Sequence, residues 1–235
     1  MPGYWPLGVK CQTFVVRPSP GPHPLNRCMP LRVVVRDLLG LAETTSEAKR
    51  VLNAGKVMVD KRVRKDPGFP VGLMDVVEIP DIGKNYRVGV NAKGLHLQEI
   101  TKEDAGSKLC MITGKRTLNA GVQISLHDGR NIMLDAGKSY RVGDTVAISL
   151  PGQKITAHYK LENGSNALVY SGRNIGMSGV ITGIKTRKKM TEKSTAKVRV
   201  GGTEIETLKD YIFVAAGQGA SPSGPVAAPK RRAKK

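Results

Sequence analysis

Seven basic side chains against a single acid lie between residues 49 and 65: Lys49, Arg50, Lys56, Lys61, Arg62, Arg64 and Lys65, with only Asp60 among them. Ammonium and guanidinium groups at that density neutralise phosphates and release the counterions condensed on them. Covalent chemistry is poorly served. His23, His96, His127 and His158 fall in separate segments, and no HExxH, CxxC or nucleophile-elbow spacing gives them a metal or a nucleophile. Asp128, beside Gly129, reads as a turn residue before it reads as an acid, and Cys110 in Lys108-Leu109-Cys110-Met111 reads as a buried strand residue. No catalytic residue, metal ligand, cofactor or small-molecule substrate is expected.

The elements that must carry these bases follow from apolar spacing. Leu31, Val34, Val35, Leu38 and Leu39 fall at i, i+3, i+4, i+7 and i+8, which predicts a helix with one apolar face and with Arg32 and Arg36 a turn apart on another. Pro30 suits its start and Gly40 its end. Thr44-Thr45-Ser46-Glu47 has the spacing of a capping box, so a second helix follows, burying Ala48, Val51 and Leu52 and turning Lys49 and Arg50 outward. Gly55 is its natural C′ residue. Residues 56 to 64 read as two short strands around a turn at Asp60-Lys61. Lys61 stands there where Gly would relieve a positive φ, so a longer turn or a bulge is an alternative.

Composition agrees with a polyanionic partner. The chain has 38 Lys and Arg against 19 Asp and Glu, a net charge of +19 over 235 residues. Nucleic acid is the first candidate and an anionic membrane the competitor. No apolar run approaches the roughly 18 residues of a spanning helix, and no signal peptide heads the chain, so a cytoplasmic protein without a membrane partner is expected. Cys11, Cys28 and Cys110 are odd in number and far apart, which predicts free thiols. Aromatic residues are 4% of the chain, too few for a stacking platform of the kind that lines single-strand-binding sheets, so recognition should rest on charge and shape.

The remaining segments differ in texture. Residues 1–30 are rich in Pro, notably Arg17-Pro18-Ser19-Pro20-Gly21-Pro22-His23-Pro24, and must be extended; Tyr4, Trp5 and Phe14 suit an arm that orders against a partner on assembly. From about 83 to 165 the pattern becomes β, with Val122, Ile124 and Leu126 alternating before an Asp128-Gly129 turn, Ile132 and Leu134 on the return, and Val146, Ile148 and Leu150 repeating the theme. A half-exposed antiparallel sheet or small barrel fits. The run from Ser171 to Ile184 carries Gly172, Gly176, Gly179 and Gly183; such glycines allow bends and close backbone approach, including approach to a phosphate near Arg173 and Asn174. It is neither a Walker loop nor a dinucleotide fingerprint. A basic loop follows, with Lys185, Arg187, Lys188 and Lys189, and strands at 197–200 and 211–214 would close a small barrel. The last 19 residues, from Gly217, end in Lys230-Arg231-Arg232-Ala233-Lys234-Lys235 and read as a disordered basic tail.

Several of these stretches together resemble the small-subunit ribosomal protein family S4e. They are the PSPGPH arm followed by Leu25 and Pro30-Leu31, the segment from Arg36-Asp37-Leu38 through FPVGLMDVVEI, LHDGRN at 126–131 and the glycine motif at 172–184, in the family's order. The resemblance implies an α+β, mostly β protein: an extended arm at 1–30, an αL RNA-binding domain at 31–82, a central β domain at 83–165, a KOW-type SH3-like barrel at 166–216 and a basic tail at 217–235. It implies a non-enzymatic constituent of the small subunit that binds its rRNA beside neighbouring ribosomal proteins, with no homo-oligomer, and the length suits an archaeal member. Only Met1 to Tyr4 precede Trp5-Pro6, where many members carry a basic leader, and Pro24 follows His23 where a basic residue is common. The RNA-binding residues expected are Arg32, Arg36, Lys49, Arg50, Lys56, Lys61, Arg62, Arg64 and Lys65, with Arg173, Asn174, Lys185, Arg187, Lys188 and Lys189. The alternative is an αL or KOW RNA-binding factor serving RNA modification or transcription.

Overall fold

The computed structural model describes residues 3–8, 14–119, 121–135, 139–187, 189 and 191–214. They form two compact units, one built from residues of 1–89 and 95–106, the other from residues of 90–94 and from 107 onward.

In the first unit the Pro-rich arm is already folded onto its own chain. The Trp5 indole is buried and donates from Nε1 to the Cys28 carbonyl at 2.8 Å, while the Tyr4 hydroxyl donates to Leu25 O at 2.6 Å. Ser19 N donates to Gly68 O at 2.7 Å. The His23 ring lies on Gly72, where a Cβ would collide with it, and its Nε2 meets both oxygens of buried Asp75 at 2.9 and 3.0 Å. The expectation that this arm orders only on assembly is therefore corrected for residues 3–8 and 14–24. Proline density excluded helix, and side-chain docking supplied the order that backbone pairing could not.

Strand β1 (Cys28–Pro30) leads into a short helix that starts as an α turn, Leu31–Val33, and widens into a π turn, Val34–Leu38, together α1. Leu39 N accordingly reaches back five residues to Val34 O. The wider turn rotates the later residues, so Leu31, Val33, Val34 and Val35 are buried while Leu38 and Leu39 are only half-buried. Gly40 ends the helix at φ +64°. Helix α2 (Thr45–Asn53) follows, then β2 (Met58–Val59), β3 (Arg62–Val63), β4 (Pro70–Gly72), β5 (Val76–Ile79), β6 (Lys84–Asn91) and β7 (Gly94–Ile100). β1 pairs with β4, and the other strands form one sheet in the order β3-β2-β5-β6-β7. β6 and β7, which the pattern assigned to the central β stretch, thus complete the sheet of the helical module, because Val76 to Ile79 pair with Arg87 to Lys84.

The second unit holds two antiparallel sheets. β8 (Ser107–Leu118) is long enough to serve two partners, pairing first with β11 (Thr145–Ser149) and then, from Ile112 on and across a bulge between Ile112 and Gly114, with β9 (Gly121–Leu126). β10 (Asn131–Leu134) and β12 (Ile155–Tyr159) complete the order β10-β9-β8-β11-β12. Cys110, Ile112, Ile124, Leu126, Val146 and Ile148 form its core. Lys108 is buried beside this core, its Nζ 3.0 Å from Asp128 Oδ2, and both side chains are 1% exposed. The turn aspartate is thus also one half of an internal ion pair.

The last sheet runs β16-β15-β14-β13-β17, formed by β13 (Asn166–Val169), β14 (Ser178–Lys185), β15 (Thr195–Val200), β16 (Thr203–Leu208) and β17 (Ile212–Val214). A four-strand meander whose fifth strand returns beside the first is the SH3-like arrangement, closed over Ala167, Ile181, Ala196, Val198 and Ile212. The strand pattern predicted β15 and β17 but not β16, which carries Thr, Glu and a half-buried Ile at an edge and so shows little apolar alternation.

Candidate nucleic-acid interface

Helix α2 positions the first two bases. Thr44 Oγ1 accepts from Glu47 N at 3.2 Å and Glu47 Oε2 accepts from Thr44 N at 3.3 Å, the reciprocal capping box the spacing predicted. These bonds from the backbone of Glu43 and Thr44, with Arg50 nearby, hold the Glu47 carboxyl below its ordinary value. Ala48 and Leu52 are buried, which leaves Lys49 and Arg50 exposed on the opposite side. Gly55, at φ +74°, turns the chain out of the helix, and a Cβ there would sit 3.3 Å from Val63 Cγ1 and 4.0 Å from Lys65 Cε. The residues around β3 therefore lie against the helix C-terminus, bringing Lys65 to the end of α2.

The hairpin between β2 and β3 is tight. Asp60 and Lys61 both take positive φ, 51° and 63°, so the chain makes the two-residue turn and neither the longer loop nor the bulge. Asp60 accounts for it: Asp60 N donates to Val76 O at 2.9 Å and Asp60 Oδ1 accepts from Val76 N at 3.0 Å, bonds that hold a strained turn against β5. Arg62 and Lys65 are exposed.

The nine bases predicted in this module are not equivalent. Arg32 is buried at 9% exposure rather than presented on an outer face, and burial, reinforced by the charge of Arg36, pulls its pKa down. Arg36 bonds Asp37 at 2.9 Å and Thr45 Oγ1 at 3.2 Å, so it ties α1 to the start of α2. Lys61 pairs with Glu78 at 2.9 Å and Lys56 with Asp81 at 2.9 Å; Asp81 raises the Lys56 pKa. Arg64 lies over the Phe69 ring at 4.4 Å. Lys49, Arg50, Arg62 and Lys65 remain exposed and make no ion pair among the described residues. Sequence reasoning did not see Glu78 and Asp81 as partners, nor Phe69 as a support, because those pairings join separate segments, and it did not see Asp37 because neighbours one apart on a helix do not ordinarily face each other.

In the second unit Arg173, Lys185, Arg187 and Lys189 are exposed and Asn174 is half-buried; Lys188 lies outside the described residues. Arg187 N donates to Ser194 Oγ at 3.1 Å across the loop that follows β14. Two glycines of the motif, Gly176 and Gly179, are required by close approach within the protein itself. Gly176 N donates to Val169 O at 2.7 Å, and at φ +82° its Cα faces the backbone of Asn91 and Ala92, where a Cβ would stand 2.5 Å from Ala92 N. A Cβ at Gly179 would collide with Arg199 O on β15. Close approach is needed, but to protein backbone.

Fold and surface together define a multi-module, mostly β protein whose helical module is an S4 domain, matched over residues 29–77. Residues 82–155 match ribosomal family S4e. The small ribosomal subunit protein eS4 of Methanothermobacter thermautotrophicus is 44% identical over 216 residues, 91% of this chain and 88% of the relative. That of Methanocaldococcus jannaschii is 41% identical over 221 residues, 91% and 90% of the two chains. The crystal structure of the 30S ribosomal protein S4e from Thermoplasma acidophilum superposes with a TM-score of 0.69 at 33% identity, covering 80% of this chain and 94% of that one. The chain belongs to ribosomal protein family S4e. The family is one of ribosomal proteins rather than enzymes, and these relatives are archaeal.

Proposed function

We propose that the chain is a structural constituent of the small ribosomal subunit, residing in the cytoplasm, that binds small-subunit rRNA and supports translation next to other ribosomal proteins. The observation that carries the reading is the set of four exposed bases without acidic partners, Lys49, Arg50, Arg62 and Lys65, held on one rigid helix and hairpin of an S4 domain. Folded RNA is read largely by shape, through phosphates and 2′-OH groups, and bases fixed on rigid elements suit that task. The loop carrying Lys185, Arg187, Lys188 and Lys189, with Arg173 and Asn174, supplies a second contact. Within this reading the segments 1–30, 31–82, 83–165, 166–216 and 217–235 act as arm, S4 module, central module, KOW barrel and basic tail, with β6 and β7 of the central segment paired into the S4 module's sheet.

The test is binding to a small-subunit rRNA fragment with Lys49, Arg50, Arg62 and Lys65 replaced by Ala. Affinity should fall, and the salt dependence should flatten as ionic contacts are lost. If the intact chain neutralises roughly 6–10 phosphates, its affinity falls by roughly 10³–10⁵ between 50 and 200 mM salt. A flat salt dependence of the intact chain refutes the reading.

A further inference from the structure

Arg64 differs from every other base of the S4 module in what holds it. Arg36, Lys56 and Lys61 each meet a carboxylate, Arg32 is buried, and Lys49, Arg50, Arg62 and Lys65 extend into solvent. Arg64 meets neither an acid nor open water on all sides: its guanidinium carbon stands 4.4 Å from the centroid of the Phe69 ring. The ring is itself fixed. Asp66 Oδ1 accepts from Gly68 N at 2.8 Å, Phe69 N donates to Asp66 O at 3.1 Å, and Phe69 O accepts the first helical N–H, that of Leu31, at 2.9 Å. Arg64 is anchored from its other side by its own backbone N–H, which donates to Val57 O at 3.2 Å.

The orientation of the fork follows. Arg64 is half-buried, and its Nε is buried without a hydrogen-bond partner, so the edge left at the surface is the one bearing the two Nη groups. An aromatic ring holds a guanidinium flat without neutralising it, whereas a carboxylate holds and neutralises together. Parallel N–H groups at full charge and fixed orientation match the two non-bridging oxygens of a phosphodiester.

We propose that Arg64, held by Phe69, is a preformed bidentate site for one RNA backbone phosphate. This deepens the proposed rRNA-binding function and rests on it. Among the bases that reach the surface without a carboxylate partner, it is the one whose side chain is held before RNA arrives, so its contact should depend on fork geometry and not on charge alone.

The experiment uses the full chain, a full-length archaeal 16S rRNA transcript and a generic structured RNA of equal length, with affinity measured across a salt series. Arg64→Lys keeps the charge and removes the fork. It should weaken binding to both RNAs about tenfold, the scale of one charge-assisted hydrogen bond, with the salt slope unchanged. Phe69→Leu should weaken both by a smaller factor, and Arg116→Lys, at an exposed position outside the proposed contacts, should stay within about twofold. Should Phe69→Leu unfold the chain, as circular dichroism would show, the two arginine variants carry the test alone. Arg64→Lys binding like the parent, or Arg116→Lys losing as much, overturns the site. A loss confined to one of the two RNAs indicates a base edge and overturns the phosphate assignment. An intact chain that binds neither RNA overturns the proposed function and this inference with it.

Discussion

Replacing Lys108 by Met removes one charge from the inside of the second unit and keeps most of the side chain's volume. Both Lys108 and Asp128 are 1% exposed and 3.0 Å apart, so the variant leaves a carboxylate deprived of its buried partner. Such a loss costs about 3–5 kcal/mol, and the lower end applies here because Arg130 remains, its Nε 3.3 Å from Asp128 Oδ2 and its backbone N 3.2 Å from Oδ1. In the parent, burial pushes the Asp128 carboxyl up, but Lys108, His127 and Arg130 together outweigh it and hold the group below its ordinary value. A depressed carboxyl stabilises the fold fully above its unfolded pKa of about 4, and that contribution disappears as pH falls through the lower folded value. Without Lys108, burial dominates and the carboxyl rises, so the deficit is largest at neutral pH and shrinks toward pH 4. Adding Asp128→Asn should recover more than half of the loss at pH 7. The assay is urea unfolding by circular dichroism at pH 7 and pH 5, with amide exchange at His127 N, which donates to Met111 O at 3.0 Å, as the local report. A loss under about 1 kcal/mol at pH 7, or equal losses at both pH values, refutes the reasoning.

Two further outcomes follow from the same geometry. His23→Ala should cost about 1–3 kcal/mol, since buried Asp75 loses its ring partner while Gly72 N still donates to it at 2.9 Å, and the emission of Trp5, the chain's single tryptophan, should shift to the red at lower urea than in the parent. Gly176→Ala combines a positive φ with a collision against the Asn91 and Ala92 backbone and should destabilise by about 2–4 kcal/mol in thermal unfolding, whereas Gly183→Ala, with nothing within 4 Å, should be nearly neutral.

The local signals proved readable where one element decides the outcome. The Thr44–Glu47 capping box, the C′ turn at Gly55, the Asp60-Lys61 hairpin and buried Cys110 all depend on residues a few positions apart, and each is visible in the string of residues. What was not legible depends on approach between distant segments. The π turn of α1 disturbs a clean 3.6-residue pattern and leaves Leu38 and Leu39 half-buried, while Arg32, in the α turn before it, is buried where its backbone N–H donates to Pro67 O at 2.9 Å, a contact with a distant segment. Lys108 and Asp128 look like a strand lysine and a turn aspartate until β8 and the end of β9 meet. The arm's order comes from His23 on Gly72 and Trp5 on Cys28, contacts that no periodicity encodes. In the candidate site, exposure of Lys49, Arg50, Arg62 and Lys65 followed from pattern, but the acids that occupy Lys56 and Lys61, and the ring beneath Arg64, required the fold.

The central claim, a chain built into the small subunit through its rRNA, is tested most directly by sedimentation. A tagged copy of the full chain, expressed in an archaeal host, is followed through a low-salt sucrose gradient of the ribosomal fraction. Distributed contacts from rigid modules predict that it travels with the small subunit. Recovery at the top of the gradient, or release at low salt, would contradict the account.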